Sequence, residues 1–402
     1  MKKNILIISY SNLNKDPRVL RQIDFLGEDY NVTTAGLQKS GHKNEDDFIK
    51  ISLHTNCTFH HNYSIFFRKL ISLSYVLPIY AYYTVLDYIS FKTLKKYNFY
   101  YWNHERQKTL KKLSKTKYHL IIANDIDTLP LAVKLKEQTG AKIYFDAHEY
   151  SPLEYDNDEN WLKHRSPYYT FLCKTYIPFT DYCTTVAHKI AEKYEELVGK
   201  PFDVVYNSPQ YQNLPASTNT GVIRCVHHGV ASPIRKIESM INAFIALGNG
   251  FELNLLLMIN DQKYFKELLE LSKGHSNIIF HEPVVTKDIS SFINQYDISL
   301  IFIPPVNFNY RYCLPNKFFE SIQARLMLLC GPSAEMEYLI DKYELGTIGT
   351  GFEADDIKIS LENVTRDDIA KYKNNSNKVA ELLAAETIMK NLSNKIHTIC
   401  AE

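Results

Sequence analysis

The sequence predicts an α/β protein built from two doubly wound, Rossmann-like domains. Strand-like and helix-like segments alternate along the chain, which is typical of parallel sheets covered by helices. The alternation stops at NSPQYQNLPASTNTG, residues 207–221, which holds two prolines and no long apolar run, and then it restarts. A chain of 402 residues is also long enough to form two cores.

The polar stretch sets the predicted domain boundaries. We assign residues 1–212 to an N-terminal domain and residues 213–380 to a C-terminal domain. Residues 381–402 are expected to form a helix that packs back toward the N-terminal domain. We expect the two domains to face a central cleft that holds the ligand, because doubly wound sheets bind ligands at the carboxyl ends of their strands.

The first domain opens with the predicted strand KNILIIS at residues 3–9, a helix at 17–28 and a second strand at 31–34. Further along, YHLIIAND predicts a strand, residues 127–138 a helix, and AKIYFDAHE another strand. The segment DYCTTVAHKIAEKYEEL indicates a strand that leads into a helix, and FDVVYNSP closes the domain.

The second domain repeats this alternation. Its first strand, VIRCVHHG, is expected to end at His227 or His228, with a turn at Gly229. The helix KIESMINAFIAL, the strand FELNLLLMI and a helix from about residue 261 follow, and then the strands NIIFHEPV and DISLIFIP. A helix that opens at LPNKFFE and the strand LMLLCGP complete the pattern.

Composition and missing motifs argue against several classes of protein. A formal net charge of +1 gives no case for nucleic-acid binding. The seven cysteines form no C-x-x-C pair and no Cys/His cluster at zinc spacing, which favours reduced thiols in the cytoplasm. The opening MKKNILIISYSN has an apolar run too short for a signal peptide. Neither half carries the glycine motif of nicotinamide dehydrogenases or of P-loop nucleotide hydrolases.

Residues 60–102 carry much of the aromatic content of a chain with 29 tyrosines and 21 phenylalanines. Within them, residues 70–86 hold no charged side chain, although they include Pro78 and several hydroxyl groups. Three interpretations stay open for this segment. It forms a membrane-spanning helix, an aromatic helix pair that packs on the domain or touches a membrane surface, or a buried tyrosine-rich helix.

A first phosphate-binding candidate follows the strand that ends near Gly229. A short loop leads to a helix predicted to begin near Arg235 or Lys236. Unpaired backbone N–H groups at a helix start, beside two cationic side chains, favour a diphosphate site. The alternative is that Arg235 and Lys236 are solvated surface charges.

A second basic helix start lies at LPNKFFE. Pro315 suits a helix N-terminus, Asn316 is expected to cap it, and Lys317 falls in the first turn. Lys317 and Glu320 share a helix face, roughly 5 Å apart along the axis. A diphosphate near Lys317 would place its ribose near Glu320, whose carboxylate can accept from both hydroxyls of a diol. The alternative is an ordinary salt bridge between the two side chains.

GVASPIRKIESMINAF and LPNKFFESIQARLMLLCGP together resemble the C-terminal domain of retaining GT-B glycosyltransferases of the bacterial group 1, family 4-like type. The family motifs read G-R-x(4)-K-G and E-x(7)-E. Gly229 matches the first glycine, Arg235 falls at the lysine position, and Val230 replaces the usual arginine. Glu320 matches the second glutamate, which in the family holds the ribose. Tyr312 replaces the first glutamate, which leaves the sugar contacts to the loop around it.

The N-terminal half is also similar to this family. SYSNLNKDPRVLRQIDFLGEDYNVTTAG resembles its first strand, loop and helix, with Asp16 and Arg18 at the helix start. AKIYFDAHEYSP resembles the segment whose histidine faces the donor sugar, which implies His148, with Asp146 and Glu149 alongside. On the residues alone, a purely structural histidine is the alternative.

The segment NDIDTLP offers a rival interpretation. Asp125 and Asp127 come directly after a strand, as the metal ligands of GT-A glycosyltransferases do. We expect no metal, because a second α/β domain with basic helix starts can hold a diphosphate without one. Asp127 is expected to cap a helix, and Asp125 to lie at the edge of the cleft. No cofactor is expected besides the substrate.

The resemblance implies a hexosyltransferase that uses a nucleoside diphosphate sugar, with UDP or GDP as the nucleotide, and retains anomeric configuration. The implied residues are catalytic His148, Arg235 and Lys317; donor-binding Gly229, Lys236, Tyr312, Asn316 and Glu320; and acceptor or cleft Asp16, Arg18, Asp125, Asp146 and Glu149. The implied acceptor is a saccharide or polyprenyl-linked saccharide of capsule or O-antigen synthesis, reached from the cytoplasm at the inner membrane face through residues 60–102. The alternatives are a sugar-nucleotide epimerase on the same scaffold and a non-catalytic sugar-nucleotide-binding subunit.

Overall fold

The computed structural model describes residues 2–51, 96–217 and 220–401. Most of the aromatic segment, residues 60–95, lies outside them, and so do the interpretations offered for it. In the described part of the chain, no helix has both the length and the apolar character needed to cross a membrane.

The chain divides into two compact units. The first unit consists of three segments, Met1–Thr184, Lys193–Asp203 and Ser393–Glu402. The second unit consists of Thr185–Glu192 and Val204–Leu392. The C-terminal end of the chain therefore belongs to the first unit.

The first unit is built on a seven-stranded sheet, and the pairs among its first five strands are parallel. Its strands are β1 (Asn4–Ile8), β2 (Asn31–Gly36), β3 (Asp47–Lys50), β4 (Leu120–Asn124), β5 (Lys142–Ala147), β6 (Tyr182–Thr185) and β7 (Asp203–Val204). Their order is β3-β2-β1-β4-β5-β6-β7, so the direction of strand addition reverses between β1 and β4. All five residues of β4 are buried, as expected for a strand covered by helices on both faces.

Helices connect these strands. They are α1 (Pro17–Gly27), α2 (Tyr97–Tyr101), α3 (His104–Leu113), α4 (Leu129–Thr139), α5 (Glu159–His164), α6 (Ser166–Tyr176) and α7 (His188–Val198). Helix α1 begins where the sequence predicts, because the Asp16 carboxylate accepts from Val19 N at 3.2 Å and Pro17 fills the first helical position.

The second unit repeats the architecture on a six-stranded sheet. Its strands are β8 (Ile223–Ala231), β9 (Phe251–Ile259), β10 (Ile278–His281), β11 (Ile298–Ile301), β12 (Met327–Cys330) and β13 (Gly346–Ile348). They pair in parallel in the order β10-β9-β8-β11-β12-β13, and the order reverses between β8 and β11. Doubly wound sheets bind ligands at such a reversal, outside the carboxyl ends of the strands. The predicted fold class is confirmed for both units.

Nine helices complete the described part of this half of the chain. They are α8 (Ile237–Leu247), α9 (Gln262–Leu271), α10 (Ile289–Ile293), α11 (Phe308–Arg311), α12 (Asn316–Gln323), α13 (Ala334–Tyr343), α14 (Ala354–Glu362), α15 (Arg366–Val379) and α16 (Ala385–Ala401). Met240 and Phe244 of α8 pack with Leu253 and Leu255 of β9 in the core. Each such side chain stabilises the fold by about 1.5–3 kcal/mol when fully buried.

Strand β8 is longer than the sequence predicts. The expected turn at Gly229 is wrong, because the ladder with β9 continues to Ala231, opposite Ile259. Gly229 lies inside the strand with φ +132°, a conformation that favours glycine. The turn comes only afterwards, as a 3₁₀ helix at Pro233–Arg235.

Helix α7 begins against α13. The backbone N–H groups of His188 and Lys189 donate to the Glu335 carboxylate at 3.1 and 2.6 Å. His188 Nδ1 lies 3.2 Å from the same carboxylate. Because Glu335 is 2% exposed, it supplies a buried acceptor to N–H groups that a helix start leaves unpaired.

Candidate functional site

The first turn of α12 holds a buried lysine. Lys317 is the second residue of the helix and is 6% exposed. Its Nζ makes no hydrogen bond to any described residue. A Cβ built on Gly229 would lie 3.1 Å from this Nζ, so the amine occupies space that the missing side chain leaves. Strand β8 and helix α12 thus place a basic group where the order of the second sheet reverses.

Helix α12 begins at a proline. Pro315 is the N-cap, with φ −74° and ψ 153°, and its carbonyl accepts from Phe318 N at 2.9 Å. The predicted cap at Asn316 is wrong, because Asn316 is already helical and a proline tolerates this boundary well. The Asn316 side chain instead accepts from Asn207 Nδ2 at 2.7 Å.

The surroundings of Lys317 disfavour its charged form. Burial, and then the positive charge of Arg235, lower the pKa of Lys317 to about 7, against the opposing effects of Glu320 and Cys313. A buried ammonium without an acceptor is costly, and a bound anion would remove that cost. The geometry therefore suits an anionic ligand.

Glu320 pairs with a histidine and not with Lys317. His228 Nε2 lies 2.8 Å from Glu320 Oε2, and both side chains are buried. The predicted alternative, a salt bridge from Lys317 to Glu320, does not form among the described residues. His228 was not among the predicted residues. Its signal was two consecutive histidines in a strand rich in apolar residues.

The neighbouring histidine adds a second basic nitrogen. His227 Nδ1 lies 2.9 Å from the Leu300 carbonyl oxygen, and its Nε2 has no hydrogen-bonding partner in the described chain. Burial, and then the charge of Lys317, hold the pKa of His227 well below its usual value. Arg235 lowers the pKa of both groups, and its guanidinium lies 5.8 Å from the centre of the Tyr310 ring.

The start of α8 is less open than the sequence predicts. The helix begins at Ile237, whose N–H donates to Tyr264 Oη at 3.0 Å. Lys236 has φ +46°, and its Nζ lies 2.5 Å from Glu353 Oε1 at an exposed position. One expected N–H donor is thus occupied, and Lys236 forms a surface pair of little energetic worth. Arg235 and Lys317 are therefore the cationic side chains that remain candidates for binding an anion.

Tyr312 directly follows the short helix α11. It is half-buried, and its ring lies 5.0 Å from that of Phe308. Asn309, in the same segment, is buried. The role of Tyr312 in donor-sugar contacts stays a prediction.

In the first unit, Arg18 and Asp146 form a buried pair. Arg18 Nε donates to Asp146 Oδ2 at 2.6 Å, and its Nη2 contacts Oδ1. Gln22 Nε2 and Thr184 Oγ1 donate to the same carboxylate at 2.8 and 2.7 Å. Burial alone would raise the pKa of Asp146, but Arg18 outweighs burial and the pKa lies below its usual value. These contacts join α1 to β5 and β6.

Asp125 and His148 meet at the carboxyl ends of β4 and β5. Asp125 Oδ1 accepts from His148 N at 3.1 Å, and Oδ2 lies 3.3 Å from the ring Nδ1. The ring Nε2 lies 3.8 Å from Asp146 Oδ2. Asp125 has φ 62° and ψ 157°, a region nearly reserved for glycine that costs about 1–3 kcal/mol. The bonds of its carboxylate to His148 hold that strain in place.

Two further carboxylates lie beside Asp125. Burial, and then the charge of Asp125, raise the pKa of Glu149 to about 7. Glu149 keeps an exposed side, so solvent screens part of this effect. Burial, and then the charge of Glu149, raise the pKa of Glu154 to about 8. Glu154 was not among the predicted residues, and its spacing from Glu149 carried no recognisable motif.

Asp127 does not cap a helix, contrary to the prediction. It lies in a 3₁₀ turn, Ile126–Thr128, and α4 begins only at Leu129 with Thr128 in the cap position. The extra turn moves the helix start beyond the reach of the Asp127 side chain, which lies 3.7 Å from Arg106 Nη2. Across residues 2–51, 96–217 and 220–401, no group of three His, Cys, Asp or Glu side chains is arranged to hold a metal ion.

The chain matches no protein family model and no curated protein sequence. Its structure is nevertheless similar to solved structures over nearly its whole length. HepE from Anabaena, in complex with UDP and glucose, aligns over 98% of this chain and 100% of its own, with 12% identity and a TM-score of 0.67. Sucrose-phosphate synthase from Thermosynechococcus elongatus aligns over 100% of both chains, with 13% identity and a TM-score of 0.67. The lipopolysaccharide outer core galactosyltransferase WaaB, in its apo form, aligns over 98% of this chain and 99% of its own, with 11% identity and a TM-score of 0.60.

This chain has the GT-B fold. The resemblance inferred from the two motifs is confirmed at the level of the fold. At identities of 11–13%, the GT-B similarity concerns architecture alone, and the roles of individual side chains stay predictions.

Proposed function

We propose that this GT-B chain is an enzyme, a glycosyltransferase whose second unit binds the nucleoside diphosphate of a sugar donor. The observation that carries the proposal is the buried amine of Lys317, which lies against Gly229 and makes no hydrogen bond to any described residue. A diphosphate would supply the anionic partner at the carboxyl ends of the strands, where doubly wound folds bind ligands.

Neighbouring residues complete the proposed donor site. Arg235 adds a second cation, and Glu320, one helical turn after Lys317, accepts from the ribose hydroxyls. His228 holds the Glu320 carboxylate through its 2.8 Å contact. Gly229, Lys236, Tyr312 and Asn316 are proposed to line the same site.

UDP is the first nucleotide to test. Structures of HepE hold UDP, UDP with glucose, and UDP-glucose. The similarity of HepE to this chain supports the GT-B fold, and its ligands guide the choice of donors. GDP sugars remain part of the proposal.

In the proposed reaction, an acceptor hydroxyl forms a bond to the anomeric carbon as the bond from that carbon to the diphosphate oxygen breaks. Arg235 and Lys317 stabilise the charge that develops on the leaving diphosphate. We propose retention of anomeric configuration, with the departing phosphate oxygen taking the acceptor proton. His148, fixed by its contacts to Asp125 and Asp146, orients the donor sugar and does not act as the base.

The acceptor is proposed to be a saccharide or a polyprenyl-linked saccharide bound by the first unit. Asp16, Asp125 and Glu149 are its proposed contacts. Arg18 and Asp146 form a buried pair and are proposed to stabilise the fold around the site. Residues 60–102 would bring a cytoplasmic enzyme to the inner membrane face for capsule or O-antigen synthesis. This part of the proposal is supported by the sequence resemblance and the aromatic composition.

Calorimetric binding of UDP-, GDP- and dTDP-sugars to wild type and to Glu320→Gln tests the donor site. We expect one nucleotide class to bind with micromolar affinity, and the variant to lose at least about tenfold, or about 1.4 kcal/mol. Lys371→Met removes an exposed lysine on α15 and should bind as wild type does.

The proposal is wrong if no nucleotide sugar binds, or if Glu320→Gln binds as tightly as wild type. Donor turnover with and without saccharide acceptors then separates the possible activities. A transferase needs the acceptor, an epimerase converts the donor alone, and a binding subunit does neither.

A further inference from the structure

We propose that binding of the sugar donor is coupled to the uptake of one proton by Lys317. Before the donor binds, the Lys317 side chain lies beside Gly229, and at pH 8 its amine is largely neutral. When the diphosphate binds, the amine becomes an ammonium paired with phosphate oxygens. This inference rests on the proposed function, because it concerns the diphosphate of the same donor.

The position of the amine is the first support. Lys317 is 6% exposed, and its Nζ lies within 3.1 Å of the Cβ position that Gly229 lacks. Protein atoms have displaced the water that normally solvates a lysine, and no described residue accepts a hydrogen bond from Nζ. A lysine in such surroundings releases its proton, because an unpaired buried cation is costly.

The charges around Lys317 are the second support. The titratable groups that face or adjoin it are His227 and His228 on β8, Arg235 in the turn before α8, Cys313 before α12 and Glu320 on α12. Arg235 disfavours a second cation. The one carboxylate, Glu320, already contacts His228 at 2.8 Å. Burial and Arg235 together lower the pKa of Lys317 to about 7.

The proton balance is simple. The lone pair on the lysine nitrogen accepts one proton from the buffer, and no covalent bond in the donor changes. Each phosphate of a nucleoside diphosphate sugar carries one charge throughout the neutral pH range, so the donor itself releases and takes up none. Any proton taken up between pH 6 and pH 8 therefore belongs to the protein.

The size of the effect follows from the pKa. With a value of about 7 before binding, the amine is about one-tenth neutral at pH 6 and about nine-tenths neutral at pH 8. An ammonium paired with phosphate stays protonated across this range. We expect uptake of about 0.1 proton at pH 6 and about 0.9 at pH 8, and an affinity that falls up to about tenfold per pH unit above pH 8.

Titration calorimetry of the full chain in buffers of different ionisation enthalpy measures this uptake directly. The probe is UDP-glucose, or GDP-mannose if the donor panel favours GDP. Wild type should take up about 0.9 proton at pH 8. Lys317→Arg keeps a cation that does not deprotonate in proteins, so it should bind without uptake. Lys371→Met should take up as much as wild type.

Three results would overturn the inference. Binding of the donor by wild type at pH 8 without proton uptake would contradict the inference but not the proposed function. Uptake that persists in Lys317→Arg but vanishes in His227→Asn would place the proton on His227 instead. Failure of every nucleotide sugar in the donor panel to bind would overturn the inference together with the proposed function. If Lys317→Arg does not fold, Lys317→Met serves in its place, with weaker binding and no uptake expected.

Discussion

Each unit buries a charge-bearing side chain near the carboxyl ends of its central strands, but the two side chains differ in their hydrogen bonds. In the first unit, Asp146 receives donors from Arg18, Gln22 and Thr184. In the second, Lys317 makes no hydrogen bond to a described residue. The Asp146 carboxylate therefore helps to stabilise the fold, whereas the buried Lys317 amine costs stability that a bound anion can restore.

We expect the largest change in stability when Asp146, the carboxylate that pairs with Arg18, is replaced. Asp146→Ala removes the carboxylate that pairs with the buried Arg18 guanidinium, so the free energy of unfolding should fall by about 3–5 kcal/mol. Urea unfolding at pH 7 measures it. The double variant Arg18→Met/Asp146→Leu removes both charges and should lose clearly less. A loss below about 1 kcal/mol for Asp146→Ala would contradict the structural role assigned to the pair.

Removing the amine of Lys317 should instead stabilise the protein. Lys317→Met keeps the length of the side chain and removes the desolvated amine, so the free energy of unfolding at pH 7 should rise by about 1–2 kcal/mol. The same variant should lose affinity for the nucleotide sugar. Lys371→Met, at an exposed position, should stay within about 0.5 kcal/mol of wild type. A destabilised Lys317→Met would mean that the amine has a structural partner.

Asp146 and Lys317 should affect the free energy of unfolding in different pH ranges, Asp146 at acid pH and Lys317 above neutral pH. The stability that Asp146 contributes is present above its usual carboxyl pKa and is lost as pH falls through its lower folded value. The pKa of Lys317 falls from 10.5 to about 7 on folding, so between these values the unfolded chain binds more protons. The free energy of unfolding should therefore rise there by up to about 1.4 kcal/mol per pH unit.

Urea unfolding of variants from pH 3 to pH 9 separates these contributions. Lys317→Met should lose the part of the rise above pH 7 that Lys317 contributes, and keep the acid limb unchanged. Asp146→Asn should flatten the acid limb and keep the rise. An identical pH profile for wild type and Lys317→Met would show that this lysine keeps an ordinary pKa in the folded chain.

The smallest expected effect concerns the contact between His228 and Glu320. His228→Leu removes the group that fixes the carboxylate, so binding of UDP-glucose should weaken by about five- to tenfold. His228→Gln can still donate a hydrogen bond and should recover most of the affinity. Calorimetry gives the dissociation constants, and the melting temperature of each variant reports the structural cost separately. Equal losses of affinity in both variants would contradict the positioning role.

Local patterns were enough to predict most of the fold. Buried runs such as LIIAN in β4 and LNLLL in β9 identify strands, because both faces of a parallel sheet are covered. The pair Asp16 and Pro17 marks the start of α1 through an ordinary cap. The predicted ends of helices and strands were wrong where the local sequence signal was ambiguous. Gly229 indicated a turn although it lies within a strand, and Asn316 resembled a cap although Pro315 takes that position.

The candidate site was predicted less completely, because its contacts join distant parts of the chain. His228 and Glu320 are 92 residues apart, and Arg18 and Asp146 are 128 residues apart. No local spacing encodes such pairs, since the order of strands in the sheet brings them together. The motif resemblance identified Glu320 and Asp146 as residues of interest, but not the side chains that hold them.

The start of α7 has a consequence for synthesis of the chain. The Glu335 carboxylate that accepts from His188 N is 147 residues further along. A ribosome that adds about 5–20 residues per second needs roughly 7–30 seconds to reach it. Until then the backbone N–H groups of His188 and Lys189 lack the carboxylate that accepts from them in the folded chain. We therefore expect the speed of translation between these two residues to set how long this helix start goes without its acceptor.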